Sequence, residues 1–120
     1  MSRQIIAIVD DLFFAAKIRG TAEQVGATAK FPRTIEAAIE AVANDHRSLI
    51  LCDLHAQRID PNDLARTLKS DDKTRDIALV GFFSHVNVEL QRTAIEAGFD
   101  RVIPRSVFAR DLVQILRGDE

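Results

Sequence analysis

Apolar residues fall along the chain in blocks of two kinds. Three are short and unbroken: "IIAIV" at 5–9, "LILC" at 49–52 and "IALVGFF" at 77–83. Runs of this length with no polar alternation suit strands covered on both faces. "ATAKF" at 27–31 and "RVI" at 101–103 are shorter and more mixed, and read as edge strands. Between these runs the apolar positions recur at helical spacing. Phe14, Ile18 and Val25 form one stripe, and Ile35, Ala38, Ile39 and Val42 a second. Leu64 and Leu68 follow Asp60, an expected N-cap, and Pro61, suited to the first helical position. Leu90, Ala94 and Ala97 form a fourth stripe, closed by Gly98 where a left-handed residue is wanted, and Phe108, Leu112, Ile115 and Leu116 form the fifth.

Strand and helix patterns in strict alternation predict β-α units and a parallel sheet. At 120 residues the chain has the length of one domain. The expected fold is α/β, a flavodoxin-like doubly wound (βα)5 with a five-stranded sheet in the order 2-1-3-4-5. Residues 1–120 read as a single domain, and because the chain stops at Glu120 just after the last helix no output domain is expected. Ligands of such sheets sit beyond the carboxyl ends of the strands. The residues predicted there are Asp10 and Asp11 after the first strand, Asp53 at the end of the third, Ser84 after the fourth and Arg105 after the fifth.

Composition narrows the functional classes. With 16 basic and 18 acidic residues the formal charge is −2, and no basic run stands out, so nucleic-acid binding is not expected. No apolar run approaches the ~20 residues that cross a bilayer, and "MSRQII" has no secretory h-region. Cys52, the single cysteine, excludes an internal disulfide and a cysteine-rich zinc site and suits a reducing compartment, so a cytoplasmic location is expected. Alternation along the strand turns it away from Asp53 and makes it a small core residue.

Three carboxylates at one rim repel one another unless a cation neutralises them, and oxygen ligands favour a hard ion such as Mg2+. This distributed pattern, with Asp10-Asp11, Asp53, a hydroxyl near position 84 and a basic group at 105, resembles the receiver domain of bacterial response regulators (the CheY-like superfamily), along the whole chain. The resemblance implies that Asp10, Asp11 and Asp53, with the backbone carbonyl of His55, hold Mg2+. It further implies that Asp53 accepts a phosphoryl group from a histidine kinase or phosphotransfer protein. Ser84 would supply the hydroxyl that contacts the phosphoryl oxygens, and Arg105 stands in the lysine position.

Several positions depart from that pattern. Counted without gaps, the hydroxyl position falls on Phe83, and only a one-residue slip brings Ser84 into it; a slip of one turns a strand side chain to the other face. Arg105-Ser106 replaces Lys-Pro, with Pro104 one place earlier, so the peptide bond at 105–106 is expected to be trans. An arginine's planar fork does not reproduce an ammonium's point contact. Val102 stands where an aromatic switch residue is expected. His55 and His85 follow neighbouring strands and read either as solvated loop residues or as a pair overlooking the acids; His46 lies in a polar turn and is given no role.

Three functions compete. The first is a stand-alone, non-enzymatic receiver module that accepts phosphate on Asp53 and signals by contact with another protein. By resemblance the contact face is formed by the fourth helix, the fifth strand and the fifth helix, with Val88, Gln91, Arg101 and Arg110 as candidates. The second is a phosphorylation-independent pseudo-receiver scaffold locked by Arg105, favoured by Phe83 and Arg105. The third is a Mg2+-dependent phosphatase of the haloacid dehalogenase type, which needs an acid two residues after its nucleophile; "VDDLFF" puts Leu12 and Phe13 in that region.

Overall fold

The computed structural model describes residues 3–43, 45 and 47–118; His46 lies outside them. Five parallel strands, β1 (Gln4–Ile8), β2 (Thr28–Lys30), β3 (Leu49–Asp53), β4 (Ala78–Phe83) and β5 (Arg101–Pro104), form one sheet in the order β2-β1-β3-β4-β5. This is the expected doubly wound order. The helices are α1 (Leu12–Gln24), α2 (Ile35–Val42), α3 (Pro61–Lys69), α4 (Val88–Ala97), α5 (Arg105–Arg110) and α6 (Leu112–Arg117). None of them is long and apolar enough to cross a membrane.

Alternation along the unbroken apolar strands builds two cores. Ile6, Ile8, Ile50, Cys52, Leu79 and Phe83 face one way and pack with Ala38, Val42, Leu64, Leu68 and Ala94 of α2, α3 and α4. Ile5, Ala7, Leu49, Leu51, Val80 and Phe82 face the other way and pack with Phe14, Ile18, Phe108, Leu112, Ile115 and Leu116 of α1, α5 and α6. Gly81 leaves room for its neighbours: a Cβ there would stand 2.9 Å from Leu54 Cδ2 and 3.0 Å from Phe99 Cδ1, so those side chains would have to shift to admit it.

The helix ends match the local chemistry. Asp60 accepts from the Asn62 and Asp63 N–H groups, Pro61 opens α3, and Gly98 closes α4 with φ +127°. The stripe from Phe108 to Leu116, expected as one helix, is interrupted at Asp111, whose φ of −100° and ψ of 15° separate α5 from α6. Its carboxylate is held by the adjacent Arg110 at 2.9 and 3.0 Å rather than capping the next turn. In α1 it is Ala22, not Val25, that completes the buried stripe; Val25 is the half-buried C-cap.

Candidate functional site

β1 and β3 lie side by side and point the same way, with Ile8 opposite Cys52. Asp53 ends β3 and Asp10 and Asp11 follow β1, so all three carboxylates reach the carboxyl rim as expected. Each is engaged by backbone donors. Asp53 Oδ1 accepts from the His55 N–H at 2.9 Å, fixing the turn that leaves β3. Asp10 Oδ2 accepts from the Gln57 N–H at 2.9 Å, tying β1 to the β3–α3 loop. Asp11 is the N-cap of α1: its Oδ1 accepts from the Phe13 and Phe14 N–H groups at 2.9 and 3.2 Å.

The second oxygen of Asp11 is taken by Arg105. The first residue of α5, Arg105 reaches over the rim to donate from Nη2 to Asp11 Oδ2 at 3.1 Å. Its guanidinium carbon also lies 4.2 Å from the centroid of the Phe14 ring. Below this contact the Phe14, Phe82 and Phe108 rings pack together, the last two stacked at 4.5 Å and Phe14 meeting Phe82 edge-on at 5.3 Å. The Arg105 hydrogen bond, followed by that of the Phe14 N–H, holds the Asp11 carboxyl below the usual carboxylate range.

Phe82, not Phe83, is the register partner of Asp53. Phe83, opposite Pro104, is 5% exposed and belongs to the core on the α2-α3-α4 face. Ser84 lies one residue beyond β4, exposed in a bend. The strand end therefore puts a buried ring at the gapless hydroxyl position and leaves the serine in solvent. Val102 is a half-buried β5 residue on the same core as Phe83. No peptide bond among the described residues is cis.

Magnesium demands several oxygens converging at short range. Among the described residues, no group of three or more His, Cys, Asp or Glu side chains is placed to hold a metal ion. The sequence brings the acids to one edge, where both oxygens of Asp11 are engaged, one by the α1 amides and the other by Arg105. Asp10, Asp11 and Asp53, with the His55 carbonyl, are the residues that would hold the expected Mg2+, and Asp11 would have to exchange Arg105 for the ion to do so. The His55 and His85 rings do meet, edge to face at 6.1 Å, both exposed. Cys52 is fully buried as expected; burial and then the charges of Asp53, Asp10 and Asp60 push its thiol far above the ordinary range.

Sequence reasoning missed Phe14 as the platform for Arg105 and Gln57 as the partner of Asp10. The Arg105–Asp11 contact joins positions 94 residues apart, and a stripe residue such as Phe14 carries no sign of what rests on its outer face.

A family model described as the PDE8A-like N-terminal domain matches residues 6–119. The chain belongs to that family. No curated protein matches the sequence. The fold of this PDE8A-like domain is that of CheY-like receiver domains. The receiver domain of sensor histidine kinase PA1611 from Pseudomonas aeruginosa, which has a magnesium ion coordinated in its active-site cleft, superposes with a TM-score of 0.80 at 14% identity, over 98% of this chain and 97% of that one. The phosphorylated cyanobacterial phytochrome response regulator RcpA gives 0.78 at 22% identity over 100% and 92%. CheY4 of Vibrio cholerae gives 0.78 at 8% identity over 97% and 99%.

Proposed function

We infer that this PDE8A-like domain is a pseudo-receiver: a non-enzymatic, cytoplasmic module on the receiver fold that works by protein–protein contact without accepting phosphate. The observation that carries the reading is the Arg105 guanidinium, bonded to Asp11 at 3.1 Å and seated on Phe14. This one guanidinium offsets one of the three carboxylates at the rim, so the acids have less need of a cation. Phe83 supports the same reading, because a buried ring cannot take the part of a hydroxyl that follows phosphorylation. Output through the α4-β5-α5 face fits Val88, which is 74% exposed at the start of α4, with Gln91, Arg101 and Arg110 nearby in the chain.

Asp53 favours a second reading, in which the domain accepts phosphate from a histidine kinase or phosphotransfer protein. It is half-buried at the end of β3, with its Oδ1 engaged by the turn. The receiver-fold neighbours include domains of sensor histidine kinases and one phosphorylated regulator. This reading requires Asp11 to leave Arg105 before Asp10, Asp11, Asp53 and the His55 carbonyl can share a magnesium ion.

Incubation with Mg2+ and acetyl phosphate, followed by intact mass measurement, separates the two. The pseudo-receiver gives no adduct. A phosphoryl adduct that Asp53→Asn abolishes establishes the second reading, and steady turnover of phosphomonoesters would establish a phosphatase instead.

A further inference from the structure

On the far side of β1 from Arg105, the carboxyl edge of the sheet holds a separate cleft of about 170 Å³. It lies where β1 is flanked by β2 on one side and β3 on the other, the switch point at which doubly wound sheets take ligands. Arg19 of α1, Arg33 after β2 and Arg58 of the β3–α3 loop all line it, with Asp10 the only acid among the described residues of its lining. Three guanidinium groups against one carboxylate leave the wall with two positive charges, in a chain whose formal charge is −2.

None of the three arginines forms an ion pair among the described residues. Arg19 is held in place by Phe31, whose ring centroid lies 4.7 Å from the guanidinium carbon. Acids near Arg33 and Arg58 in the adjoining groove are engaged elsewhere: Asp60 caps α3 and Asp63 pairs with Arg66 at 3.0 Å, leaving Glu36. Asp10 itself accepts from the Gln57 N–H.

We propose that this cleft binds a phosphate dianion, as the free ion or as the head of a small phosphomonoester. Guanidinium forks suit phosphate oxygens, and the wall's two positive charges match the dianion. The volume, roughly six water molecules' worth, holds a phosphate group and is below the ~300 Å³ where sites for larger organic ligands begin. Binding is non-covalent and adjoins Asp10, which gives the domain a ligand-responsive rim without phosphorylation of Asp53.

The test is a titration of the full chain with sodium phosphate, read by 1H–15N spectra at low ionic strength, beside sodium chloride of matched ionic strength and glycerol phosphate. Saturable shifts at the Asp10, Arg33, Arg58 and Ile59 amides are expected, with no change in intact mass. Arg33→Gln and Arg58→Gln, both at exposed positions, should each weaken binding on the order of tenfold with the thermal midpoint unchanged. Tighter binding of glycerol phosphate assigns the site to phosphomonoesters, and tighter binding of phosphate assigns it to the free ion. Equal shifts with chloride, absence of saturation, or binding that Arg105→Gln removes while Arg58→Gln does not, would each overturn the proposal. A covalent adduct on Asp53 bears on the pseudo-receiver reading alone.

Discussion

Phe83→Thr restores a hydroxyl at the gapless receiver position and asks what that position does here. Phe83 is 5% exposed and packs in the core formed with α2, α3 and α4. A buried Phe removes about 150–250 Å² from water, worth roughly 4–6 kcal/mol at 25 cal/mol per Å². Threonine recovers a fraction of that, and its hydroxyl would enter an apolar cluster at a further cost of about 1 kcal/mol or more. Partial collapse of the cavity offsets some of the loss, so the net effect is about 3–4 kcal/mol. With a midpoint shift of about 4 °C per kcal/mol for a domain of this size, melting by circular dichroism should fall by roughly 12–16 °C. The control Ser84→Ala, at an exposed bend, should stay within about 0.5 kcal/mol of the parent. A Phe83→Thr variant that keeps its midpoint to within about 1 kcal/mol and gains phosphoryl acceptance would show that the ring faces the rim and refute the reasoning.

Arg105→Ala should free the Asp11 carboxylate and raise Mg2+ affinity at the rim, followed by backbone NMR; unchanged affinity would show that the guanidinium is not what keeps the ion out. Because Arg105 and the α1 amides hold the folded Asp11 carboxyl below its unfolded value of about 3.9, its stabilisation is complete above that pH and is lost as pH falls through the lower folded value. Asp11→Asn should therefore melt below the parent at neutral pH, with the gap closing in acid; a gap independent of pH would contradict the assignment. Gly98→Ala, at φ +127° and with a Cβ 2.5 Å from Lys69 Cγ, should cost more than about 1 kcal/mol by chemical denaturation, since moving Lys69 also disturbs its contacts to Arg75, Ile77 and Asp100.

The fold was legible because its signals are local and agree with one another. Unbroken apolar runs at 49–52 and 77–83 can be buried only between two layers of helices, and Asp60-Pro61 and Gly98 punctuate the chain as their backbone chemistry requires. The break at Asp111 escaped notice because the apolar stripe runs through it, while the interruption lies in its backbone angles. The location of Asp10, Asp11, Asp53 and Arg105 could likewise be read from strand ends. Of their partners, only a bridge from Arg105 to these acids was legible; that it falls on Asp11, over the Phe14 ring, was not. Whether Asp11 turns toward a shared ion or toward α1 and Arg105 depends on contacts between distant segments, and the Phe83 or Ser84 alternative depends on where β4 stops. The arginine cleft draws on α1, the β2–α2 turn and the β3–α3 loop, whose residues share no spacing in the chain.

The most direct measurement is a Mg2+ titration of the unmodified domain, following the backbone amides of Asp10, Asp11, Asp53, His55 and Gln57. A rim whose Asp11 is held by Arg105 predicts no saturable shift at these positions through the millimolar range. Saturable shifts centred on all of them, accompanied by movement of the Arg105 side chain, would show that the carboxylates gather around a metal after all and contradict the account.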